Sequence, residues 1–239
     1  MTEELFREDA TLTACEARVV ALAEGGAILD RTVFYPVGGG QAGDTGTLVG
    51  AGGATLAVID TRKSKLSPGG IVHLVATDAD LSAFAPGTPV TARIDADRRR
   101  AHMRFHTTTH LLCALVPHPV NGCSITQDYA RLDFHMTEPL DKEALSAGIA
   151  RLVAEAHPVR HRWISEAELD ANPGLVRSMS VQPPRGLGRV RVIDIEGVDL
   201  QPCGGTHVAN TREIGAVVVT KIEKKSAMTR RVVLGLAGP

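Results

Sequence analysis

Residues 11–94 contain short β-rich runs separated by paired glycines, with no helical pattern between them. The runs cover 19–22, 27–34, 54–59, 71–75 and 90–94. Their valine, isoleucine and threonine content favours strands, and the glycine pairs permit tight turns between them. Several short strands at close spacing are typical of a small antiparallel barrel. We therefore expect residues 1–94 to form a glycine-rich β-barrel domain.

The pattern changes near residue 95, where a long helical segment begins. Asp95 or Asp97 can cap this helix, which runs without glycine or proline until Pro117. A second helix is predicted over 140–156. Further strands are predicted over 129–135, 158–163, 189–195, 214–222 and 230–236. We expect residues 95–239 to form an α+β layer domain, which makes the whole chain α+β.

Composition narrows the class of protein. The chain has 239 residues, of which 44% are hydrophobic and 22% charged, as in an ordinary globular protein. Its formal net charge is −1, whereas a tight, nonspecific nucleic-acid binder is normally far more basic. Aromatic residues make up only 3%, which leaves few rings for stacking bases. Any contact with nucleic acid is therefore expected to be local and short-lived.

No segment has the pattern of a secreted or membrane protein. The first ten residues are acidic and lack the apolar core of a signal peptide. No run approaches the roughly 18 consecutive apolar residues of a membrane span. The cysteines are spaced too widely and irregularly for a disulfide framework, and they are Cys15, Cys113, Cys123 and Cys203. We expect a cytoplasmic protein with reduced thiols that are free to bind metal.

Two pairs of metal-binding side chains are each separated by four positions. His106 and His110 lie on one face of the predicted helix, because a turn takes 3.6 residues. In the segment CGGTH, Cys203 and His207 flank two glycines that allow a tight turn. One thiolate with imidazoles is a donor set that suits Zn²⁺. His102 continues the same helix face, so spacing alone leaves open which histidine pair binds the metal.

A zinc site does not by itself fix the function. Four protein ligands close a tetrahedral shell, as in structural sites, whereas a catalytic site keeps a position for water or substrate. Catalysis here would require one weak ligand, or expansion to five ligands when the substrate arrives.

Residues 34–46, FYPVGGGQAGDTG, form a glycine-rich segment with two interpretations. Three of the glycines match a dinucleotide-binding fingerprint, but that motif requires a following helix and the surroundings are β-rich. A plain hairpin tip is one interpretation. The other is a loop whose backbone approaches a ligand closely, with Gln41 supplying a directed amide.

Taken together, these motifs resemble the freestanding alanyl-tRNA editing proteins (the AlaX type), which are related to the editing domain of alanyl-tRNA synthetase. The resemblance is carried by the glycine-rich segment, by FHTTTHLL and CGGTH, by NGCSITQDYARLDF over 121–134, and by EIGAVVVTKIEKKSAMTRR over 213–231. It covers nearly the whole chain. CGGTH followed by a later Arg-Arg strand is its most specific part.

The resemblance implies a small β-barrel followed by an α/β editing domain that binds one zinc per chain. It implies hydrolysis, in trans, of Ser-tRNA(Ala) or Gly-tRNA(Ala) made in error by alanyl-tRNA synthetase. The family's ligands fall on His106, His110, Cys203 and His207. His102 is thereby set aside, and the glycine motif with Gln41 closes over the same pocket. The sequence ends at Pro239, soon after the last predicted strand, so we expect no additional C-terminal domain of the kind that longer relatives use to hold tRNA.

An aminoacyl-tRNA ester is already activated, so a positioned water and stabilisation of the oxyanion suffice for hydrolysis. The catalytic candidates are Gln41 and the backbone N–H groups of Gly204 and Gly205. The candidate substrate contacts are Gly38, Gly39, Gly40, Thr107, Asp133 and Thr206. The candidate tRNA phosphate contacts are Arg98, Arg99, Arg100, Lys221, Arg230 and Arg231. A solvated surface is the ordinary interpretation of such charge runs. Zinc could activate the water, or instead anchor the amine or ribose of the substrate.

Two other functions stay open. The first is a zinc-stabilised module that binds tRNA without cleaving it, and the second is a metallohydrolase for a small ester or amide. Release of free amino acid from charged tRNA separates the editing hydrolase from both.

Overall fold

The fold combines antiparallel sheets with α-helices, which confirms the predicted α+β class. A computed structural model describes residues 1–179, 182–183, 185–186 and 188–237. The chain divides into two units, Met1–Gly38 with Ala42–Arg100 and Gly39–Gln41 with Ala101–Pro239. Among the described residues, no helix is long and apolar enough to cross a membrane. The assignment of separate roles to residues 1–94 and 95–239 stays a prediction.

The first unit is a β structure. Its strands are β1 (Glu3–Glu4), β2 (Ala14–Ala23), β3 (Gly26–Leu29), β4 (Arg31–Thr32), β5 (Gly46–Gly50), β6 (Thr55–Val58), β7 (Asp60–Lys63), β8 (Ile71–Leu74) and β9 (Pro89–Ile94). Seven of them form an antiparallel sheet in the order β6-β5-β9-β2-β3-β8-β7, while β1 and β4 form a short parallel pair.

The predicted closed barrel is not confirmed. The two end strands of the sheet, β6 and β7, are not paired with each other anywhere in the described part of the chain. Only Ile59 separates them, which is too short for the turn that pairs neighbouring antiparallel strands. The two strands follow each other along one continuous stretch of chain, and in the described residues no ladder of hydrogen bonds joins the two ends of the sheet.

The core of the first unit follows the alternation of its strands. On β9, Val90, Ala92 and Ile94 are buried, while the residues between them are half-buried or exposed. Successive side chains of a strand point to opposite faces, so one face of the sheet is apolar. Phe34 and Phe84 fill the same core and are completely buried.

The long helix α1 spans Ala96–Leu115, close to its predicted bounds. Asp95 is the residue that caps it, because its carboxylate accepts the backbone N–H groups of Asp97 and Arg98. The helix ends just before Pro117, which cannot continue the hydrogen-bond ladder.

In its described residues, the second unit has two antiparallel sheets and two further α-helices. Its elements are β10 (Val120–Ile125), β11 (Ala130–His135), α2 (Lys142–Ala154), β12 (Val159–Ser165), α3 (Glu166–Ala171), β13 (Arg189–Ile195), β14 (Asp199–Pro202), β15 (Val217–Ser226) and β16 (Thr229–Leu236). The sheets run β10-β11-β16-β15 and β12-β13-β14. Helix α2 packs against β15 and buries Leu145, Ile149 and Leu152, which recur at helical spacing.

Candidate metal centre

Four metal-binding side chains converge in the second unit. His106 and His110 come from α1, and Cys203 and His207 come from the turn that follows β14. The ligand atoms of all four lie within 4.8 Å of one another. The three histidines are buried and Cys203 is half-buried. The cluster does not include His102. Of the two histidine pairs that helical spacing allows, the structure therefore brings His106 and His110 to the cluster, which is the pair that the family resemblance implies.

Each histidine of the cluster uses its Nδ1 atom for a partner outside the cluster. The pairs are His106 with Gln41 Oε1 (2.7 Å), His110 with Asp199 Oδ2 (2.8 Å), and His207 with Thr107 Oγ1 (3.2 Å). The amide oxygen and the carboxylate can only accept. The Thr107 hydroxyl donates its own proton to the carbonyl oxygen of Met103, so it also accepts from the ring. In each ring Nδ1 therefore donates, which leaves Nε2 to face the cluster.

The distances between ligand atoms fit a tetrahedral ion. Cys203 Sγ lies 3.4 Å from Nε2 of His106 and 3.3 Å from Nε2 of His207. Around a tetrahedral zinc, a sulfur and a nitrogen ligand are separated by about 3.5 Å. One thiolate and three imidazoles are also a donor set that zinc prefers. The residues present therefore fit the ion that the sequence predicts.

The charges of the cluster favour the form of cysteine that binds metal. Burial disfavours the thiolate of Cys203, but His106 and His207 outweigh it and hold the pKa of this thiol well below its usual range. Burial, together with the charge of His106, lowers the pKa of His207 to about 3. Burial also opposes the charged form of His110, yet hydrogen bonds with Asp199 and Cys203 raise its pKa to about 10. A metal entering the cluster must therefore displace a proton from His110.

The turn from Cys203 to His207 is shaped by a close contact with α1. A Cβ on Gly205 would lie 2.1 Å from Cε1 of His106, so only glycine lets the ring rest against the turn. The N–H of Gly205 is directed at Cys203 Sγ, 3.4 Å away. Such N–H contacts stabilise a thiolate ligand, which favours a supporting role for this group. The predicted catalytic role of Gly205 stays a prediction.

The glycine-rich segment brings Gln41 to the cluster. Gly40 has φ +87°, and a Cβ there would lie 2.8 Å from the sulfur of Cys123 on β10. The carbonyl oxygen of Gly40 accepts the N–H of Ile125 at 2.7 Å, which holds the segment against the edge of β10. Gln41 is completely buried, and its amide also bonds both the N–H and the hydroxyl of Thr206. These contacts connect the segment to the metal cluster, and its approach to a substrate stays a prediction.

The predicted substrate contacts lie in different surroundings. Thr107 and Thr206 are completely buried and bonded to His207 and Gln41, which favours a supporting role for both. Asp133 on β11 is half-buried, and its neighbours Arg231 and Arg131 outweigh burial and lower its pKa. Gly38 is half-buried and Gly39 exposed, whereas Gly40 packs on Cys123. Their contact with a substrate stays a prediction.

The three predicted arginines that start α1 differ in accessibility. Arg99 is only 2% exposed, pairs with Asp44, and donates to the carbonyl oxygens of Val33 and Ala10. Arg98 is half-buried and donates to the carbonyl oxygen of Gly43. Arg100 is exposed. Burial of Arg99 favours a structural role, and contact of Arg98 and Arg100 with phosphates stays a prediction.

The basic residues of the last two strands also differ. Lys221 is exposed and forms an ion pair with Glu223 at 2.7 Å. Arg230 is 8% exposed and donates to the carbonyl oxygen of Thr137. Arg231 is half-buried and shares Asp133 with Arg131. Lys221 is therefore the most accessible of the three for a phosphate.

Sequence analysis did not identify Asp199, Gln201 or Arg191. The Gln201 side chain donates to both carboxylate oxygens of Asp199 at 2.9 Å, which orients the acceptor for His110. Arg191 on β13 donates to the carbonyl oxygens of Cys203 and Gly205 at 2.9 and 3.1 Å. A strand pattern carried a signal for Asp199 and Gln201, because these two residues alternate along β14 and point to the same face of the sheet. Nothing in the sequence near Arg191 indicated its role.

Two family models match the chain. Residues 190–233 match the threonyl and alanyl tRNA synthetase second additional domain, and residues 7–98 match the class II (A) tRNA synthetases. The first match includes the turn with Cys203 and His207, which is half of the metal cluster.

Full-length relatives agree with these models. The chain is 35% identical over 239 residues to an alanyl-tRNA editing protein AlaX-M of Methanosarcina barkeri, covering 97% of each chain. It is 32% identical over 236 residues to AlaX-M of Saccharolobus solfataricus, covering 97% of this chain and 98% of that one. It is also 34% identical over 243 residues to the alanine–tRNA ligase of Pyrococcus furiosus, covering 97% of this chain and 25% of the ligase. With its two-part metal cluster and this full-length similarity, the chain belongs to the AlaX-M family of alanyl-tRNA editing proteins.

Proposed function

We propose that this chain is a trans-editing hydrolase that deacylates mischarged tRNA(Ala) with the help of one bound zinc. Its preferred substrate is Ser-tRNA(Ala), and Gly-tRNA(Ala) is a slower one. The observation that carries the proposal is the convergence of His106, His110, His207 and Cys203, each histidine held by a partner on its far side. The names of the relatives supply the substrate class.

The reaction is hydrolysis of the ester between the amino acid and the terminal ribose of the tRNA. Zinc held by one thiolate and three neutral imidazoles supplies about one net positive charge beside the substrate. The protein positions that charge through Gln41, Asp199 and Thr107, which fix the rings of the three histidines. Such outer hydrogen bonds are worth about 10- to 100-fold in metal affinity or activity.

Contacts with the tRNA are proposed for the accessible basic residues. Arg98 and Arg100 in the first unit, and Lys221 and Arg231 in the second, reach the surface of their units. Contacts of this kind recognise phosphates without regard to sequence, so binding should weaken as salt rises. Residues 1–94 are proposed as the counterpart of the family's glycine-rich β domain, and residues 95–239 as the editing domain.

Selectivity for serine follows from its hydroxyl group. A site built to hydrogen-bond that hydroxyl leaves its own polar groups unpaired when alanine is bound, which allows large discrimination factors. Glycine is smaller than alanine, so steric exclusion cannot keep it out. We therefore expect Ser-tRNA(Ala) to be deacylated at least about ten-fold faster than Ala-tRNA(Ala), with Gly-tRNA(Ala) between them.

Single-turnover deacylation of the three charged tRNAs tests the proposal. Release of serine well ahead of alanine supports it, and equal rates for the two would leave a hydrolase that is not an editor. Retention of charged tRNA without release would indicate a zinc-stabilised binding module. Cleavage of small aminoacyl esters, with charged tRNA left intact, would indicate a small-ester metallohydrolase.

A further inference from the structure

Trp163 is the only tryptophan of the chain, and it lies on β12, an edge strand of the sheet β12-β13-β14. Its ring is half-buried, and the guanidinium of Arg189 lies over it, 4.4 Å from the ring centroid. Arg189 is exposed, and no carboxylate in the described part of the chain pairs with it. The neighbouring Arg162 differs, because it pairs with Asp194 at 3.2 Å. The Trp163–Arg189 pair is therefore a partly accessible aromatic group with a positive charge to offer.

The register of the sheet places this pair on the face that supports the metal cluster. Trp163 lies directly opposite Arg191 on β13, and opposite residues of antiparallel strands point to the same face. From that face the side chain of Arg191 reaches the turn after β14, where it donates to the carbonyl oxygen of Cys203 at 2.9 Å. Alternation along β13 and its pairing with β14 put Asp199, the acceptor for His110, on the same face.

The cluster is accessible from the side of Cys203. Of the four ligands only Cys203 is half-buried, and the following Gly204 is half-buried as well. An ester that approaches the ligand atoms from solvent therefore passes this part of the turn. The N–H of Cys203 donates to the carbonyl oxygen of Arg191 at 3.1 Å, so β12 lies two strand spacings away, or about 10 Å. Trp163 is thus beside the accessible side of the cluster.

The chemistry of an aminoacyl-tRNA fits such a neighbour. The amino acid is esterified to the ribose of the 3′-terminal nucleotide, so an ester at the cluster leaves the base of that nucleotide one sugar away. The 3′ end of a tRNA is single-stranded, and proteins bind single-stranded bases by stacking them on aromatic rings and guanidinium planes. Aromatic residues make up only 3% of this chain, so few rings are available for that purpose.

We propose that the Trp163–Arg189 pair binds the 3′-terminal nucleotide of the tRNA by stacking on its base. The inference rests on the proposed deacylase function and names residues that hold its substrate. The base joins the stack of ring and guanidinium, and the charge of Arg189 lies beside the negatively charged backbone of the 3′ end. The ribose between base and ester then extends from β12 toward the metal ligands.

The proposal predicts a change in KM rather than in kcat. Stacking on the base is equally present in the bound substrate and in the transition state, and loss of such uniform binding raises KM alone. For Trp163→Leu we expect KM for Ser-tRNA(Ala) to rise about ten-fold, with kcat within about two-fold and zinc per chain unchanged. Trp163→Phe keeps a ring and should recover most of the affinity.

Arg189→Met removes the charge and one layer of the stack, so KM should rise by a smaller factor, about three-fold. Arg162→Met is the matched control, because it removes the same charge from an exposed position next to Trp163. Successive side chains of a strand point to opposite faces, so Arg162 lies on the other face of the sheet, where it pairs with Asp194. This variant should leave KM unchanged.

The single tryptophan allows the contact to be observed without turnover. A base stacked on an indole quenches its fluorescence, and no other residue of this chain contributes tryptophan emission. The probes are uncharged tRNA(Ala) and the same tRNA without its terminal adenosine. We expect the intact tRNA to quench the emission. The shortened tRNA should bind about ten-fold more weakly and leave the emission nearly unchanged at saturation.

Each outcome decides one point. If wild-type protein releases no amino acid from charged tRNA while intact tRNA still quenches Trp163, the proposed function fails and the nucleotide contact stands. If wild type is active and both tRNAs give the same emission, the pair does not bind the terminal base. If Trp163→Leu keeps the wild-type KM, or loses zinc in proportion to activity, the pair serves the fold or the metal site and the inference is wrong.

Discussion

The two units bury polar side chains in different ways. In the first unit His73 uses both ring nitrogens, with Nδ1 3.0 Å from the carbonyl oxygen of Ala27 and Nε2 2.7 Å from the hydroxyl of Thr32. In the second unit His106 uses only Nδ1 for the protein fold, and its Nε2 faces Cys203. Both residues are buried to a similar extent. Burial of a histidine therefore does not by itself indicate a metal site. The convergence of several ligand atoms at one point does.

Charged groups show the same contrast. Asp44 and Arg99 are buried in the first unit and pair with each other, and Asp44 also accepts the N–H of Tyr35. The network is closed within the protein, as structural networks usually are. The thiolate of Cys203 instead faces the Nε2 atoms of His106 and His207, and these ligand atoms can bind one metal ion together. A hydrogen-bond network that is closed within the protein stabilises the fold, whereas the cluster at Cys203 has ligand atoms available for a metal ion.

The largest effect should come from Cys203→Ala. The thiolate is the strongest of the four proposed ligands, so zinc should fall from about one ion per chain to near zero, and deacylation should be lost with it. Elemental analysis of purified protein measures this. Cys15→Ala in the first unit is the control and should keep full zinc. Zinc that survives Cys203→Ala but is lost in His102→Ala would contradict the assigned cluster.

Arg99→Met tests the closed network. It leaves the buried carboxylate of Asp44 without its guanidinium partner, which should lower the free energy of unfolding by about 3–5 kcal/mol. Zinc per folded chain should not change. Arg100→Met, at the exposed neighbouring position, should keep full stability and weaken binding of tRNA instead. Denaturant unfolding and binding at two salt concentrations separate the two effects, and equal stability of both variants would contradict the structural role of Arg99.

Gln41→Ala tests the connection between the glycine-rich segment and the cluster. It removes the acceptor for His106 and both bonds to Thr206, so deacylation should slow by ten-fold or more without unfolding, about 1.5–3 kcal/mol. Zinc affinity, measured by competition with a chelator, should fall by a similar factor. Gln41→Glu keeps an acceptor for His106 and should lose less. Unchanged rate and affinity in Gln41→Ala would reduce this segment to a plain turn.

The smallest effect concerns pH and the first unit. Burial lowers the pKa of His73 to about 4, although its bond to Ala27 opposes the shift. Between pH 6.5 and 4 the unfolded chain binds a proton at this position and the folded chain does not, so stability falls as pH falls through that window. At pH 5.5 the loss is about 1 kcal/mol. The slope of unfolding free energy against pH should flatten in His73→Gln, and an unchanged slope would assign the effect to another group.

Local patterns in the sequence predicted much of this molecule. The bounds of α1 follow from a cap at Asp95 or Asp97 and the break at Pro117. Four-residue spacing on a helix and in a glycine turn indicated candidate ligand pairs, and the family resemblance chose His110 over His102. Strand content of the first unit was predicted from short β-rich runs. Each of these depends on interactions between near neighbours in the chain, which a sequence displays directly.

The features that the sequence did not predict depend on contacts between residues far apart in the chain. Closure of the barrel depended on hydrogen-bonded pairing between β6 and β7, which no local pattern predicts. The nitrogen that each histidine turns inward depends on partners far along the chain, with Gln41 65 positions from His106 and Asp199 89 positions from His110. The orientation of the turn at Gly204 depends on Arg191 in a neighbouring strand. The sequence by itself determined which residues could bind a metal, and only the tertiary structure decided how they are aimed, because hydrogen bonds between distant segments set the direction of side chains and peptides.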